Sequence, residues 1–194
     1  IIVYPAHGAG SACGKNMSKE TTESLGNQKK TNCALRADMT KEEFKAELLD
    51  GLTPPPAYFP QNVMMNINGY ESLDTILKKG DTPLSPKEFE AIANQTEALI
   101  LDVRNEAEFV KEHIPSSIFI GLHGQFAPWV GALIRDTKQP ILLVTPEGLE
   151  VETITRLSRV GFDNTLGYLK GGLNAWKSAG FETDTIDSIS PEVF

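Results

Sequence analysis

Residues 139–162, QPILLVTPEGLEVETITRLSRVGF, contain the pattern that decides the fold of this chain. The run ILLV at 141–144 is short and continuously apolar, which is typical of a strand buried on both faces of a sheet. TPEGLE follows as a tight loop, and apolar residues then recur at helical spacing. The stretch therefore predicts a strand that ends at Thr145, a loop over residues 145–150 and a helix after it.

The same alternation of strand and helix continues on both sides of this stretch. Ser85-Pro86-Lys87-Glu88 has the composition of a capped helix start, with Pro at the first helical position. The segments ALILD, SIFIGL and TLGYL read as further strands, each followed by a helical pattern. Strands that alternate with helices predict parallel βα units, so we expect an α/β fold with a parallel sheet covered on both faces.

Composition excludes several classes of function. The chain has 194 residues, of which 40% are hydrophobic and 23% charged, as in ordinary soluble domains. No apolar run approaches the roughly 20 residues of a membrane span. Its net charge is −8, and the basic clusters that bind nucleic acid are absent. With only two cysteines, a disulfide framework is not expected, and we predict a cytoplasmic protein.

The chain divides into four segments. We expect a first part over residues 1–70, a linker over 71–82, an α/β domain over 83–183 and a short final segment over 184–194. The first part contains one strand and a few helices, too little for a closed core, and we interpret it as a piece of a larger domain. Ser190-Pro191-Glu192-Val193-Phe194 repeats the pattern of Ser85 to Phe89, and it predicts the start of a second copy of the α/β domain.

Three groups of residues in the α/β part occur in an order and spacing typical of one family. They are Asp102-Val103-Arg104 with Glu108-Phe109, then His113-Ile114-Pro115, and finally Gly171-Gly172 with Trp176. They match the D-x-R, E-F, H-I-P and G-G-x-x-x-W patterns of the rhodanese domain. This part of the chain therefore resembles a rhodanese domain, and the resemblance implies a central parallel sheet with helices on both faces.

The resemblance also shows where this chain departs from the family. In active rhodaneses the loop after the fourth strand begins with a cysteine that carries sulfur, and Thr145 occupies that position here. A hydroxyl cannot form a persulfide. Pro146 lacks an N–H donor, while Glu147 and Glu150 add negative charge where an anionic substrate would bind. We therefore predict that this domain has no catalytic residue and no sulfurtransferase activity; hydrolysis by Thr145 is the disfavoured alternative.

The remaining motif residues have a structural interpretation. We expect Asp102 and Arg104 to form hydrogen bonds around the loop, and His113 to cap or pack locally. Gly171 and Gly172 are expected to permit an unusual turn, and Trp176 to lie in the core.

The first part resembles the C-terminal portion of a metallo-β-lactamase-fold αββα protein. The residues that carry the resemblance are Tyr4 to Ser11, YPAHGAGS, followed by Cys13-Gly14-Lys15 and the later segment PPPAYFPQNVMMN. The matching branch contains the persulfide dioxygenases and the glyoxalase II-like enzymes, and a rhodanese domain after it is the order of bacterial dioxygenase–rhodanese fusions.

This second resemblance implies three site residues and a metal. His7 would be a metal-motif histidine, either a ligand of a second metal or a residue behind the ligands. Persulfide dioxygenases use one non-haem iron, but their H-x-H-x-D-H run does not occur here, so we expect no tightly bound metal in this chain. Cys13, with the cation of Lys15 beside it, is a candidate for contact with a persulfide substrate, and Lys15 for binding a substrate carboxylate.

The sequence thus predicts part of a sulfur-metabolism enzyme with a non-catalytic rhodanese-like scaffolding domain. The resemblance implies a parent protein that oxidises a thiol persulfide, such as glutathione persulfide, to sulfite. A zinc thioester hydrolase of the glyoxalase II type and a non-enzymatic interaction module remain open. Neighbouring domains of the same fusion are the expected partners, and homo-oligomerisation is left open.

Overall fold

The computed structural model describes residues 1–6, 19–51 and 58–187. The chain separates into two compact units, Ile1–Pro54 and Pro55–Phe194. The candidate residues His7, Cys13 and Lys15 lie outside the described residues. Residues 188–194 of the predicted final segment, 184–194, also lie outside them.

The described residues of the first unit form one pair of short strands and two α-helices. Strand β1 (Ile2–Val3) pairs antiparallel with β2 (Glu23–Ser24). Helix α1 (Leu25–Thr31) follows, then a 3-10 turn and helix α2 (Lys41–Leu49). The helices of this unit bury none of their described side chains. Its described part thus has secondary structure without an enclosed core.

The second unit is built on a five-stranded sheet in which every pairing is parallel. In spatial order the strands are β3 (Pro83–Leu84), β7 (Thr165–Leu169), β6 (Ile141–Val144), β4 (Leu99–Asp102) and β5 (Ile118–Phe119). The expected α/β fold with a central parallel sheet is confirmed.

Helices pack on both faces of this sheet. The two cores on these faces contain residues of α4 (Leu73–Gly80), α5 (Pro86–Thr96), α7 (Phe126–Leu133), α8 (Glu150–Ser158) and α9 (Gly172–Ser178), and the unit also contains α3 (Phe59–Asn68) and α6 (Glu106–Lys111). Helix α5 begins with a capping box of Ser85 and Glu88 at the predicted helix start, and α6 begins with a capping box of Asn105 and Glu108. Each box satisfies backbone N–H groups that a helix start leaves free.

Strand β6 shows how the sheet separates two apolar cores. Ile141 and Leu143 contribute to the core that contains residues of α4, α7 and α8, whereas Leu142 and Val144 contribute to the core that contains residues of α5 and α9. All four side chains are fully buried. The alternation follows from the two-residue period of a strand, in which successive side chains point to opposite faces of the sheet.

Helix α4 lies where the sequence predicts a linker over residues 71–82. Its Ile76 is 2% exposed and belongs to the core, and Gly80 packs against Thr165 and Ile154. Leu73, Ile76 and Leu77 follow the i, i+3, i+4 spacing of a helix, which was the available signal for this element. In the structure this segment is part of the second unit, which also continues beyond residue 183, since Asp184 forms a β-bridge with His113.

Candidate functional site

The candidate site lies at the carboxyl edge of the parallel sheet. Strand β6 ends at Val144, the loop over residues 145–149 follows, and α8 begins at Glu150. Strand β4 ends beside it, with Asp102 paired in register with Val144. In open α/β sheets this edge is where ligands bind, so the loop occupies the position at which a rhodanese-type site is expected.

The loop after β6 forms a single tight turn. The Leu149 N–H donates to the Pro146 carbonyl over 3.2 Å, which closes the turn before α8. Gly148 has φ = +84°, and a Cβ added there would meet nothing within 4 Å. Backbone conformation, rather than crowding, therefore favours glycine at this position. Thr153 then secures the helix start by donating its hydroxyl to the Leu149 carbonyl over 2.7 Å.

Thr145 lies at the base of this loop and is 7% exposed. Its side chain is a secondary alcohol, which needs an adjacent general base to become a nucleophile. Within the part of the chain that the structure describes, no hydrogen bond joins the Thr145 hydroxyl to a histidine or a carboxylate. The described surroundings of Thr145 therefore supply neither a thiolate nor an activated hydroxyl.

Acidic side chains surround the entrance to the loop. Glu147 is exposed and Glu150 is half-buried at the first position of α8. Partial burial raises the pKa of the Tyr168 phenol, and the charges of Asp81 and Glu150 raise it further. Glu150 therefore contributes negative charge near Tyr168 on the neighbouring strand β7. A helix N-terminus would attract an anion, but these carboxylates oppose it.

Arg156 is a cation on α8 that the sequence analysis did not single out. It donates one Nη to the Leu122 carbonyl over 2.7 Å and pairs its other Nη with Glu152 Oε1 at 2.8 Å. The Leu122 carbonyl and Glu152 both bind the guanidinium, so Arg156 already has partners within the fold. The i, i+4 spacing of Glu152 and Arg156 was the available signal for the ion pair, whereas the contact with Leu122 spans 34 residues and had none.

Asp102 and Arg104 form a buried ion pair beside the loop. Asp102 is 0% exposed, and the Arg104 side chain is 10% exposed. Arg104 donates from Nε over 2.9 Å and from Nη2 over 2.6 Å to the two carboxylate oxygens of Asp102. The same Nη2 donates to the Glu112 carbonyl over 2.8 Å. The predicted structural role agrees with these contacts. However, the second partner of Arg104 is the Glu112 carbonyl at the end of α6 rather than the loop after β6.

His113 is held by local contacts, as predicted. Its Nδ1 lies 2.9 Å from the Phe109 carbonyl, and its ring stacks on the Phe109 ring with centroids 4.2 Å apart. Its backbone N–H and carbonyl both hydrogen bond to Asp184. With the ring stacked and 7% of the residue exposed, His113 is placed for packing rather than for proton transfer.

The G-G-x-x-x-W motif builds the turn into α9. Gly171 and Gly172 have φ of +75° and +58°, a region that side chains disfavour. Trp176 is 5% exposed, stacks on Phe181 and donates its indole N–H to the Glu182 carbonyl over 2.8 Å. The predictions of an unusual turn and a core tryptophan are confirmed.

The described residues do not assemble a metal site. Among residues 1–6, 19–51 and 58–187, no three His, Cys, Asp or Glu side chains are placed to hold a metal ion. Cys33, in the first unit, is a free, half-buried thiol. Within the same ranges no helix is long and apolar enough to cross a membrane.

Comparison with known proteins agrees with this geometry. The rhodanese-like domain family matches residues 85–179. These residues form a rhodanese-like domain. A search of curated proteins found no significant match. Among solved structures, the chain is similar to a rhodanese-like domain from Anabaena sp., with 22% identity, a TM-score of 0.42 and coverage of 48% of this chain and 98% of that one.

A second similarity extends beyond the rhodanese-like domain. The metallo-beta-lactamase from Staphylococcus aureus subsp. aureus COL is 27% identical and superposes with a TM-score of 0.61. The match covers 88% of this chain, so it includes the N-terminal part, but only 45% of that chain. Thiosulfate sulfurtransferase from Pseudomonas aeruginosa is 20% identical over 71% of this chain and 25% of its own, with a TM-score of 0.45.

Proposed function

We propose that this chain is part of a sulfur-metabolism enzyme and that its rhodanese-like domain is a scaffold without catalytic activity. The observation that supports the second statement is Thr145, which is buried at the end of β6 where the family's sulfur-carrying cysteine stands. The threonine oxygen cannot accept a sulfane sulfur, because the persulfide bond forms between two sulfur atoms.

The electrostatics of the loop support the same conclusion independently of Thr145. A persulfide or thiosulfate carries negative charge, and its binding relies on backbone N–H donors at a helix start. Pro146 contributes no N–H, and Glu147 and Glu150 lie at the mouth of the loop. Arg156, the nearby cation on α8, is engaged by Glu152 and the Leu122 carbonyl. The loop is therefore arranged to repel the substrate class that active relatives bind.

The experiment that tests the scaffold proposal is a thiosulfate:cyanide sulfurtransferase assay on the purified chain. We expect no thiocyanate formation above the uncatalysed rate at any thiosulfate concentration. Turnover that survives treatment with a thiol-blocking reagent would locate activity away from the two cysteines and would overturn the proposal. Turnover lost on blocking would be traced with Cys13→Ser and Cys33→Ser variants; because neither cysteine lies in the rhodanese-like domain, such turnover would be assigned to the first part of the chain.

The proposal that this chain is part of a sulfur-metabolism enzyme is supported by its similarity to the S. aureus metallo-beta-lactamase. Together with the motif around His7 and Cys13, it favours a parent protein of the persulfide dioxygenase type, acting on a thiol persulfide such as glutathione persulfide in the cytoplasm. Iron is the cofactor this proposal implies. The described residues do not fit it, since none of them form a ligand cluster, so any iron site would depend on residues outside them.

The parent activity is tested on the longest native polypeptide that contains this sequence. We expect one iron per polypeptide and oxygen uptake on addition of glutathione persulfide. Two zinc ions with thioester hydrolysis would instead indicate an enzyme of the glyoxalase II type. Metal-loaded protein without oxygen uptake or hydrolysis would leave a binding protein and overturn the enzymatic proposal.

A further inference from the structure

A groove lies at the amino edge of the parallel sheet, opposite the loop after β6. It consists of two adjoining depressions with volumes of about 460 Å³ and 380 Å³. The larger is within the range of ligand pockets, roughly 300–1,000 Å³. The depressions share one wall, formed by Met65, Tyr70, Glu71, Gly161 and Asp163. This pair of depressions is here called the amino-edge groove.

Close packing of helix α3 forms one side of the groove. A Cβ added at Gly161, which has φ = +87°, would lie 2.9 Å from Asn62 Oδ1 and 3.0 Å from Met65 Sδ. Glycine allows this approach because it has no side chain and adopts positive φ without strain. The helix is therefore held against the turn before β7, and the groove between them is formed by the fold itself.

Asp163 carries an unused acceptor in the shared wall of the groove. Its Oδ1 atom is buried and has no hydrogen-bond partner within the part of the chain that the structure describes. Burial raises the pKa of the Asp163 carboxyl, the Ser158 hydroxyl opposes this increase, and the charge of Glu71 adds to it. A buried acceptor without a donor is unfavourable, so a ligand that brings a cationic N–H group would be stabilised there.

The charges around the groove indicate what else such a ligand carries. The carboxylates of Glu71 and Asp163 lie in the shared wall, whereas Lys79 and Lys138 line the larger depression. Lys79 Nζ donates to Asn164 Oδ1 over 2.8 Å, which holds its ammonium group at the wall. A ligand with a positive group alone would be repelled by these lysines. A ligand with an ammonium group and a carboxylate matches both sets of charges.

We propose that the amino-edge groove binds a small organic zwitterion, whose ammonium group donates to Asp163 Oδ1 and whose carboxylate pairs with Lys79 and Lys138. The ammonium group would also offset the repulsion between Asp163 and Glu71. The groove and the loop after β6 lie at opposite edges of the sheet. The proposal therefore goes beyond the function proposed above and does not depend on it.

The first test is an NMR titration of the full chain at neutral pH with three probes of the same length. They are γ-aminobutyrate, butylammonium and butyrate. We expect γ-aminobutyrate to shift the backbone amides of Glu71 and of residues 161–164 and to bind most tightly. Butylammonium is expected to bind more weakly, because it lacks the carboxylate, and butyrate is expected to cause no shift at these amides.

The second test uses variants of the proposed contacts. Asp163→Asn keeps the shape of the side chain and is expected to weaken γ-aminobutyrate binding at least about tenfold, since a charge-assisted hydrogen bond is lost. Lys79→Gln is expected to weaken binding of γ-aminobutyrate but not of butylammonium. Lys78→Gln is the matched control on α4, because Lys78 is not among the described residues that line the groove, and it is expected to bind both probes as wild type does.

A third test measures the unused acceptor without any ligand. Because the folded pKa of Asp163 is raised, its protonated form contributes stability at acidic pH that is lost as the pH rises through that pKa. Asp163→Asn has no such loss, so its urea midpoint is expected to rise relative to that of wild type between acidic and neutral pH. The other titratable or charged groups lining the groove are unchanged in this variant: Tyr70, Glu71, Lys79, Lys138 and Arg159.

Four results would overturn the proposal. They are no amide shift at the groove with any of the three probes, butyrate binding as tightly as γ-aminobutyrate, equal affinity of Asp163→Asn and wild type, and equal losses in Lys79→Gln and Lys78→Gln. A urea midpoint of Asp163→Asn that keeps the same difference from wild type at every pH would show that Oδ1 already has a donor, and it would also contradict the proposed site.

Discussion

The ends of β4 and β6 lie side by side at the carboxyl edge of the sheet, with Asp102 in register with Val144, yet they differ in chemistry. At the end of β4, Asp102 and Arg104 retain the family's motif and form a buried, fully paired network. At the end of β6, the Thr145 hydroxyl has no hydrogen-bond partner among the described residues, and the loop after it contains Glu147 and leads to Glu150. The two strand ends thus differ in what holds their side chains, and the scaffold function proposed above depends on this difference.

The largest effect we expect is on stability, from Asp102→Ala. The substitution leaves the guanidinium of Arg104 buried without its partner, and breaking one side of a buried ion pair costs about 3–5 kcal/mol. Urea unfolding followed by circular dichroism measures the loss. Glu152→Ala is the control in the same unit, since its pair with Arg156 is partly exposed, and we expect about 0.3–0.5 kcal/mol there. Equal losses of unfolding free energy would show that the Asp102–Arg104 pair stabilises the fold no more than the partly exposed pair of Glu152 and Arg156.

A second prediction concerns the chemistry missing from β6. Thr145→Cys alone is expected to give no thiosulfate:cyanide activity above wild type, because Pro146, Glu147 and Glu150 still oppose anion binding. Adding Pro146→Ala, Glu147→Ala and Glu150→Arg is expected to raise the rate at least about tenfold, which corresponds to roughly 1.4 kcal/mol of barrier.

The matched control for this series carries serine instead of cysteine at position 145 with the same three loop substitutions. It is expected to stay inactive, because the hydroxyl cannot carry sulfur. Activity in Thr145→Cys without the loop changes would show that the carboxylates do not prevent substrate binding. The difference between the two strand ends would then depend on residue 145 alone.

The next prediction compares two buried threonines. Thr145→Val is expected to change the free energy of unfolding by about 0.5 kcal/mol or less, since its hydroxyl has no hydrogen-bond partner among the described residues. Thr153→Val removes a hydroxyl that donates to the Leu149 carbonyl over 2.7 Å and is expected to cost about 1 kcal/mol. A larger loss at Thr145 would indicate a structural role for its hydroxyl.

How far the sequence predicted these features depends on the range of the interactions involved. The alternation of ILLV with helical patterns predicted the parallel sheet, and the capped start at Ser85 predicted the beginning of α5, because these signals are local. Helix α4 also has a local signal, the helical spacing of Leu73, Ile76 and Leu77, whereas the packing of its Gly80 against Thr165 has none.

Within the site, too, the sequence predicted contacts between near neighbours but not contacts between residues distant in sequence. The motif identified Asp102 and Arg104 as structural, and both lie within two residues of each other, so their pairing was local. The second partner of Arg104, the Glu112 carbonyl, depends on where α6 ends, and the Leu122 carbonyl reaches Arg156 only in the folded chain. Tertiary contacts of this kind leave no periodic trace in a single sequence.

The smallest effect we expect is a change in the titration of Tyr168. Its phenol has a raised pKa because of partial burial first, then the charges of Asp81 and Glu150. Glu150→Gln removes the last contribution and should lower the pKa, which NMR of ring-labelled tyrosine can measure. A raised folded pKa stabilises the fold below the unfolded value of about 10, and this stability is lost as pH rises through the folded pKa, so the substitution should make this alkaline loss smaller. Glu152→Gln, whose charge does not contribute to this shift, is the control; equal shifts would mean that Glu150 does not set the negative potential at the loop.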